Sequence, residues 1–294
     1  MLTISNLSKM YPNGVRALQD VSLEIPKGMF GLLGPNGAGK STLMRTLATL
    51  QESDTGSIHL TEEQLDVSRD KNEVRKILGY LPQEFGLYPR ISAEALLDHF
   101  AVLKGITDSA HRKQAVEGLL RRTNLWEVRT QKLGTYSGGM RQRFGIAQAL
   151  LGDPKLIIVD EPTAGLDPEE RRRFLNLLSE IGENVVVILS THIVDDVSEL
   201  CTRVAILDHG RVLLTGDPRG LISQLEGKIW SSAMDKGEAE KLANAMTVLS
   251  TRQIAGQKVV RVLGSEAPGH GLEPVPPDLE DVYFAALKNA WPGV

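Results

Sequence analysis

The feature that most constrains this chain is a glycine-rich nonapeptide that lies between a short apolar run and a helical pattern. It reads Gly34-Pro35-Asn36-Gly37-Ala38-Gly39-Lys40-Ser41-Thr42 and fits the pattern G-x-x-x-x-G-K-[ST]. Residues 29–33 before it are typical of a buried strand, and the apolar residues of 43–50 after it have helical spacing. This strand–loop–helix order is the context in which the pattern forms a phosphate-binding loop.

The residue types of this loop suit an anion of high charge. Its glycines permit backbone conformations that turn consecutive N–H groups toward a phosphate, and the following helix adds its positive N-terminal end. Lys40 can neutralise the β- and γ-phosphates of a nucleotide, and Ser41 can offer its hydroxyl to Mg²⁺. A glycine-rich turn without a ligand would have no need of these two residues. We therefore expect a nucleotide with β- and γ-phosphates and Mg²⁺ as ligands.

The order of elements predicts an α/β protein. Further short apolar runs at 156–159, 185–189 and 204–207 alternate with helix-like segments such as 174–181, as in a mostly parallel sheet. Residues 91–132 show helical periodicity without an intervening strand, and residues 2–7 and 21–25 alternate like antiparallel strands. Near the end of the chain, Gly/Pro-rich residues 264–277 are expected to form a loop between a β segment, 259–263, and a last helix, 279–288. We predict a P-loop NTPase core, an N-terminal antiparallel β subdomain, a helical insertion and a small C-terminal α+β extension.

Composition excludes several classes of protein. The lone Cys201 cannot form an internal disulfide, and no apolar run approaches the roughly 18 residues that span a bilayer. The net charge of −4 gives no reason to expect nucleic acid as a partner. With no secretory signal at the N-terminus, we expect a cytoplasmic protein. The basic run 171–173 follows Glu169 and Glu170 and is interpreted as a solvated helix face.

Two carboxylates follow the apolar run 156–159. Successive side chains of a strand point to opposite sides, so we expect Asp160 and Glu161 to have different roles at the end of this strand. Asp160 can hold the metal, and Glu161 can orient or deprotonate an attacking water. A strand end with incidental acids is the plainer interpretation, but it is weakened by the phosphate-binding loop in the same chain.

A third motif, Ser137-Gly138-Gly139, admits two interpretations. Ser137 is a good residue to cap a helix N-terminus. Two glycines at the start of a helix each cost about 1 kcal/mol relative to alanine, yet they let backbone N–H groups approach a phosphate closely.

The order of all these motifs resembles the nucleotide-binding subunit of ABC transporters over residues 1 to about 220. In sequence the motifs are the P-loop, Tyr80-Leu81-Pro82-Gln83, Ser137-Gly138-Gly139, Asp160-Glu161, Gly165-Leu166-Asp167 and Ser190-Thr191-His192. The resemblance implies an ATPase domain over 1–225, with its helical subdomain at about 90–150, and a C-terminal extension over 226–294 that supports dimerisation or regulates turnover. It also implies a head-to-tail dimer that sandwiches ATP between the P-loop of one copy and Ser137-Gly138-Gly139 of the other.

The resemblance further assigns roles to single residues. It implies that Tyr11 stacks on adenine, that Gln83 senses Mg²⁺ and the water, that Glu161 is the catalytic base, that His192 contacts the γ-phosphate, and that Asp167 lies at the dimer seam. Plainer interpretations remain open for two of them. Tyr11 beside Pro12 could simply pack a turn, and Asp167 with Pro168 and Glu170 has the pattern of a capping box.

Departures from the usual signature point to a branch of the family. Tyr136 and Met140 replace the more usual leucine and glutamine, as in multidrug, sodium and haem-exporter-like ATPases, and residues 277–284 resemble the ending of that branch. The resemblance implies an ATP-hydrolysing subunit, peripheral on the inner membrane face, that powers export through a separate permease. An importer ATPase with a regulatory C-terminal module and a non-transport ATPase acting on ribosomes or DNA remain as alternatives.

An apolar cluster after Gln83 is the candidate contact for that permease. It consists of Phe85, Leu87 and Tyr88. A loop punctuated by Gly and Pro seldom presents so many apolar residues without a partner. Burial against the helical insertion is the alternative interpretation.

Overall fold

The computed structural model describes residues 1–83, 86, 88–163, 166–265, 269 and 271–292. The predicted residues Phe85, Leu87 and Gly165 lie outside them. In chain order the strands are β1 (Leu2–Met10), β2 (Arg16–Ile25), β3 (Gly28–Leu33), β4 (Thr55–Leu60), β5 (Leu65–Asp66), β6 (Leu78–Leu81), β7 (Leu156–Asp160), β8 (Val186–Ser190), β9 (Arg203–Asp208), β10 (Arg211–Gly216), β11 (Ile229–Met234), β12 (Thr247–Ile254), β13 (Gln257–Leu263) and β14 (Glu273–Pro274).

The helices connect these strands and form the inserted segment. They are α1 (Lys40–Leu47), α2 (Lys71–Ile77), α3 (Ala93–Leu103), α4 (Ser109–Arg122), α5 (Gly138–Ala149), α6 (Pro168–Gly182), α7 (Val194–Leu200), α8 (Pro218–Ser223), α9 (Lys236–Ala245) and α10 (Leu279–Leu287). Among the described residues, no helix is both long and apolar enough to cross a membrane.

The central sheet has the strand order β10-β9-β3-β8-β7-β6. All neighbours in it are parallel except β10, which pairs with β9 in the antiparallel sense. Four strands of this sheet, β3, β6, β7 and β8, are followed by predicted motif residues. Because parallel strands end at the same edge, the topology brings these motifs together. The mixed α/β fold predicted from the sequence is confirmed, with mostly parallel strands in this sheet and antiparallel sheets beside it.

Successive residues of the buried strands face opposite sides of the sheet, and each side has its own apolar cluster. Ile158 of β7 packs with α1 and with the antiparallel sheet β2-β1-β4-β5. Ile157 and Val159 pack on the other side with α6 and α7. This double burial explains why the strands read as continuous apolar runs.

The inserted segment has its own apolar cluster. Side chains of α3, α4 and α5 pack together around Leu97, Leu120 and Phe144, all fully buried. Tyr136 is also buried there, and its hydroxyl donates to the carbonyl of Val128 at 3.0 Å. Met140 packs against the same cluster. The two residues that depart from the usual signature therefore serve the packing of this insertion.

The C-terminal region contains more regular structure than the sequence patterns indicated. Strands β11, β12, β13 and β14 form a sheet in the order β12-β13-β11-β14, with β14 lying inside the segment predicted as a loop. Helix α10 buries Leu279, Val282 and Ala285 in the same cluster as α6 and α7. The last helix thus packs on the core of the central sheet, whereas the boundary predicted at residue 225 places it in an extension. That boundary itself remains a prediction.

Candidate functional site

The glycine-rich loop leads from β3 directly into α1. Gly39 is the N-cap residue of α1, with a φ of 106°, and a Cβ atom there would lie 2.4 Å from the carbonyl oxygen of Ala17. Only glycine fits this conformation and this close approach. Gly39 offers no side chain to cap the helix N-terminus, and the first turn of α1 has no acidic residue. The N-terminal N–H groups and the positive end of the helix dipole are thus available to an anion.

The Lys40 side chain folds back over the glycine-rich loop. Its Nζ donates to the carbonyl oxygens of Gly34 at 2.6 Å and Pro35 at 3.1 Å, and the residue is only 8% exposed. Burial lowers the pKa of Lys40, and the carboxylates of Glu161 and Asp160 act in the opposite direction. The ammonium group is therefore positioned at the base of the loop by backbone carbonyls rather than by an ion pair.

A cleft of about 560 Å³ opens over this loop and collects most of the predicted site residues. The predicted residues that line it are Tyr11, residues 35–42, Gln83, Asp160, Glu161 and His192. Val15 and Ala17 complete the wall beside Tyr11. Gln83 follows β6, the two carboxylates end or follow β7, and His192 follows β8. Four separate strand ends thus supply one cleft.

Asp160 and its surroundings fit a magnesium ion. The candidate donors are the Ser41 hydroxyl, the Gln83 amide oxygen and the Asp160 carboxylate, and Mg²⁺ prefers such oxygen ligands. Burial raises the pKa of Asp160, so a nearby cation favours its ionised form. The Ser190 side chain, in register with Asp160 on the neighbouring strand, acts in the opposite direction on that pKa. A buried carboxylate among hydroxyl and amide oxygen donors suits a hydrated cation.

Glu161 adopts an unusual backbone conformation at the end of β7. Its φ is 48°, and its N–H donates to the carbonyl oxygen of Ser190 at 2.8 Å. A non-glycine residue with positive φ stores strain that surrounding contacts must hold. The Glu161 side chain is 11% exposed, and Oε2 lies 2.7 Å from Nδ1 of His192. This turn aims the carboxylate into the cleft rather than along the strand.

The Tyr11 side chain lies against the start of α1. Its hydroxyl is 3.2 Å from both Thr42 Oγ1 and Gln51 Oε1. Its backbone N–H donates to Val15 at 2.9 Å, and its carbonyl accepts from Gly14 at 2.9 Å. Tyr11 therefore packs a turn, as the plainer interpretation expected, and also lines the cleft. The two interpretations are compatible.

The Ser-Gly-Gly segment does not line this cleft. Ser137 is the N-cap residue of α5, and its Oγ accepts from the N–H of Met140 at 3.2 Å. A Cβ atom on Gly139 would lie 3.0 Å from the Glu170 side chain, whereas one on Gly138 would meet nothing within 4 Å. Packing within this chain therefore does not require glycine at position 138.

Asp167 also lies away from the cleft lining, at the N-terminus of α6. Its Oδ1 accepts from the backbone N–H groups of Glu169 at 3.0 Å and Glu170 at 2.9 Å, with proline at the start of the helix. The predicted reciprocal bond of a capping box is not formed. Instead, the Glu170 carboxylate lies 3.5 Å from Arg143 of α5. The N-cap part of the prediction holds, and the partner of Glu170 differs because α5 places an arginine beside it.

The basic run 171–173 contains a residue that is not part of a solvated face. Arg171 Nε donates to Asp196 Oδ1 at 2.8 Å, and Asp196 is fully buried. Thr163 Oγ1 donates to the other carboxylate oxygen at 2.9 Å. These contacts join the segment after Glu161 to α6 and α7. The sequence interpretation was wrong for Arg171 because its partner lies 25 residues away, and the acidic neighbours in sequence misled it.

Comparisons with known proteins find relatives over most of the chain. The family model described as ABC transporter matches residues 18–164. The probable multidrug ABC transporter ATP-binding protein YbhF of Escherichia coli (strain K12) is 32% identical over 307 residues, which cover 99% of this chain and 52% of that protein. The present chain thus spans about half the length of YbhF. The linearmycin resistance ATP-binding protein LnrL of Bacillus subtilis (strain 168) is 35% identical over 229 residues, covering 77% of this chain and 72% of LnrL.

A solved structure is similar as well. It is the dimeric, post-hydrolysis state of the ATP-binding cassette MJ0796 bound to ADP and Pi. It superposes with a TM-score of 0.67 at 26% identity, covering 74% of this chain and 98% of the cassette.

Proposed function

The chain belongs to the ABC transporter family, and from this premise we propose that it is the ATP-hydrolysing subunit of an exporter. The observation that carries the proposal is the single cleft that unites the P-loop, Gln83, Asp160, Glu161 and His192. Similarity to proteins named for multidrug transport and linearmycin resistance supports export. The transported substrate would be selected by a separate membrane permease.

ATP binding would use contacts that the loop already offers. The backbone N–H groups of residues 35–42 and the N-terminus of α1 would surround the phosphates. Lys40 would transfer its donors from the carbonyls of Gly34 and Pro35 to the β- and γ-phosphates. Tyr11 and Val15 would form the apolar wall for the base.

Hydrolysis would centre on Glu161. Its carboxylate would accept a proton as a water oxygen bonds to the γ-phosphorus and the bond to the bridging oxygen of ADP breaks, which gives ADP and phosphate. His192 would hold Glu161 through the 2.7 Å contact and face the γ-phosphate. Ser41, Gln83 and Asp160 would hold Mg²⁺, which supplies neutralising charge on the phosphate oxygens.

A second copy of the chain would complete the site. Ser137, Gly138, Gly139 and Asp167 do not line the cleft of their own chain. A Cβ atom on Gly138 would meet nothing within 4 Å in its own chain. The absence of a side chain there suits close approach by the γ-phosphate bound to a partner copy. ATP would therefore favour a closed head-to-tail dimer, because ADP lacks the phosphate that bridges the two copies.

The permease would recruit this dimer to the inner face of the membrane. The described member of the predicted contact cluster, Tyr88, is 60% exposed. An exposed aromatic side chain beside the Gln83 segment suits a docking surface that senses the nucleotide. Phe85→Ala with Tyr88→Ala should weaken membrane recruitment while leaving nucleotide binding unchanged.

The test of the proposal is affinity purification of tagged Glu161→Gln protein from detergent-solubilised membranes of its own host. With ATP and Mg²⁺ we expect a stoichiometric polytopic membrane protein to co-purify. The matched control replaces ATP by ADP, which should release the closed dimer. Ribosomal or DNA-bound partners in place of a membrane protein would overturn the transport assignment while leaving the ATP chemistry intact.

A further inference from the structure

Every polar group of Tyr11 has a partner within the chain. The backbone groups bond within the turn formed with Gly14 and Val15, and the hydroxyl contacts Thr42 and Gln51. A ligand in the cleft therefore meets the ring of Tyr11 rather than its hydrogen-bonding groups. The position of that ring depends on what holds the hydroxyl.

The contacts of Gln51 fix the direction of its amide. Nε2 donates to the carbonyl oxygen of Thr42 at 2.8 Å and to Thr46 Oγ1 at 3.0 Å. Because a carbonyl can only accept, the NH₂ end must face α1 and Oε1 must face Tyr11. The Tyr11 hydroxyl thus donates to Gln51 and accepts from the Thr42 hydroxyl. The bonds run in one direction, from Thr42 through Tyr11 to Gln51.

The segment that carries Gln51 is anchored on both sides. Arg75 Nε donates to Thr49 Oγ1 at 2.8 Å, and its guanidinium also reaches the Thr49 carbonyl at 3.1 Å. Beyond Gln51, the Asp54 carboxylate accepts from the N–H of Met10 at 2.6 Å and from Lys9 Nζ at 2.8 Å. The segment 49–54 therefore links α2, α1 and the end of β1 just before Tyr11.

We propose that Gln51 is a positioning residue that holds the ring of Tyr11 at the angle required for stacking on the nucleotide base. This inference rests on the proposed ATP-binding function. Gln51 does not line the cleft, so it acts through Tyr11 rather than on the nucleotide. Through Thr42, the same bonds tie the base wall to the helix whose N-terminus faces the phosphates.

The decisive measurement compares two ligands, ATP and inorganic tripolyphosphate, by isothermal titration calorimetry with Mg²⁺. Both carry three phosphates, but only ATP has a base to stack. Tyr11→Ala should raise the Kd for ATP about tenfold, because base stacking on an aromatic ring is a contact of moderate strength. The Kd for tripolyphosphate, which has no base, should not change. Gln51→Met, which keeps the size but loses the bonds, should raise the Kd for ATP about threefold to fivefold, again without affecting tripolyphosphate.

A double variant separates positioning from general destabilisation. Gln51→Met in the Tyr11→Ala background should change the Kd for ATP no further, because no ring remains to be positioned. Glu52→Ala is the matched control on the same segment, since the Glu52 side chain is 73% exposed and faces Lys71. It should bind both ligands as the parent does.

If Gln51→Met fails to fold, Tyr11→Phe removes the same bond from the other side and should give the same threefold to fivefold effect on ATP alone. Equal weakening of ATP and tripolyphosphate by Gln51→Met, or full additivity with Tyr11→Ala, would overturn the positioning role. A parent protein that binds tripolyphosphate as tightly as ATP would instead overturn the stacking role of Tyr11. A parent that binds neither would overturn the proposed function itself.

Discussion

Nδ1 of His192 lies 2.7 Å from Oε2 of Glu161, so the imidazole and the carboxylate form one hydrogen-bonded unit. When the carboxylate accepts in this contact, Nδ1 carries the hydrogen. This leaves Nε2 as the nitrogen that can meet another group. The His192 side chain is 62% exposed and the Glu161 side chain is 11% exposed. The exposed imidazole therefore contacts the carboxylate from the solvent side. His192 follows β8 and Glu161 follows β7, so the contact links the ends of two neighbouring strands.

Replacing Glu161 by glutamine should separate binding from chemistry. The change keeps the size of the side chain but removes the proton acceptor, so ATP turnover should fall by about 10²- to 10⁴-fold. ATP should still bind and hold the closed dimer, which size-exclusion chromatography with ATP and Mg²⁺ would detect. Glu169→Gln, at a 76% exposed side chain, is the control and should hydrolyse normally. Turnover at the parent rate in Glu161→Gln would refute the assignment.

Removal of His192 should affect the same step. His192→Ala leaves Glu161 without its 2.7 Å partner, and we expect turnover to fall by about 10²-fold or more. Because groups that act as a unit are not additive, His192→Ala should add little to the loss in Glu161→Gln. Phosphate release from the two single variants and the double variant checks this. A double variant whose loss equals the product of the two single losses would show that the residues act independently.

Arg171 should contribute to stability where its neighbour Arg172 does not. Arg171→Met leaves the buried Asp196 carboxylate without its cationic partner, and we expect a loss of about 3 kcal/mol in the free energy of unfolding. Arg172→Met is the matched control, expected within about 0.5 kcal/mol of the parent. Adding Asp196→Asn to Arg171→Met should restore part of the loss, because the buried charge is removed. Urea denaturation of the four proteins measures these differences, and equal effects at positions 171 and 172 would contradict the prediction.

Lys104 should make the stability of the protein depend on pH in alkaline solution. Its ammonium donates to the carbonyls of Arg75 and Leu78, and burial lowers its pKa from about 10.5 in an unfolded chain to about 8. Between these values the unfolded chain binds more protons than the native protein at this group, so its contribution to stability rises with pH. The stability of the parent relative to Lys104→Met should therefore increase from pH 8 to pH 10. A difference that is flat across this range would mean that the native pKa is not lowered.

The last helix should be a necessary part of the core. Leu279 of α10 is 2% exposed and packs in the cluster that includes α6 and α7. Leu279→Ala should lower the free energy of unfolding by about 2–4 kcal/mol, a typical loss for a buried leucine. Leu103→Ala, the same change at a 69% exposed side chain, should cost less than about 0.5 kcal/mol. Two small and equal effects would show that α10 is dispensable for the core.

What could be predicted from the sequence is what short-range patterns encode. The apolar run before Gly34 and the carboxylates after Val159 placed two motifs at strand ends, and the parallel sheet brings them into one cleft. The partners of Arg171 and Tyr11 could not be read in this way, because Asp196 is 25 residues from the first and Gln51 is 40 from the second. Such pairs depend on how helices pack, which periodicity does not specify.

The C-terminal region was harder to predict for a related reason. Strands β11 and β12 are partly exposed and mix serine and threonine with apolar residues, so they lack the continuous apolar runs of the central sheet. The buried Asp281 carboxylate accepts from the N–H of Asp278 at 3.0 Å, and from Nε of the distant Arg261, on strand β13, at 2.8 Å. The apolar residues of the last helix were visible in the sequence, but no neighbouring residues indicated which surface of the protein would bury them.

The position of β3 also determines when the glycine-rich loop can gain its sheet neighbours during synthesis. The strand that carries the P-loop is complete at Leu33, yet both of its sheet neighbours, β8 and β9, are translated more than 150 residues later. Long-range pairing of this kind has to wait for the distant segment. A ribosome-bound fragment that stops before Val186 contains the glycine-rich loop but lacks both strands that flank β3 in the sheet. Under the proposed function, nascent chains would therefore consume no ATP until β8 and β9 have been translated.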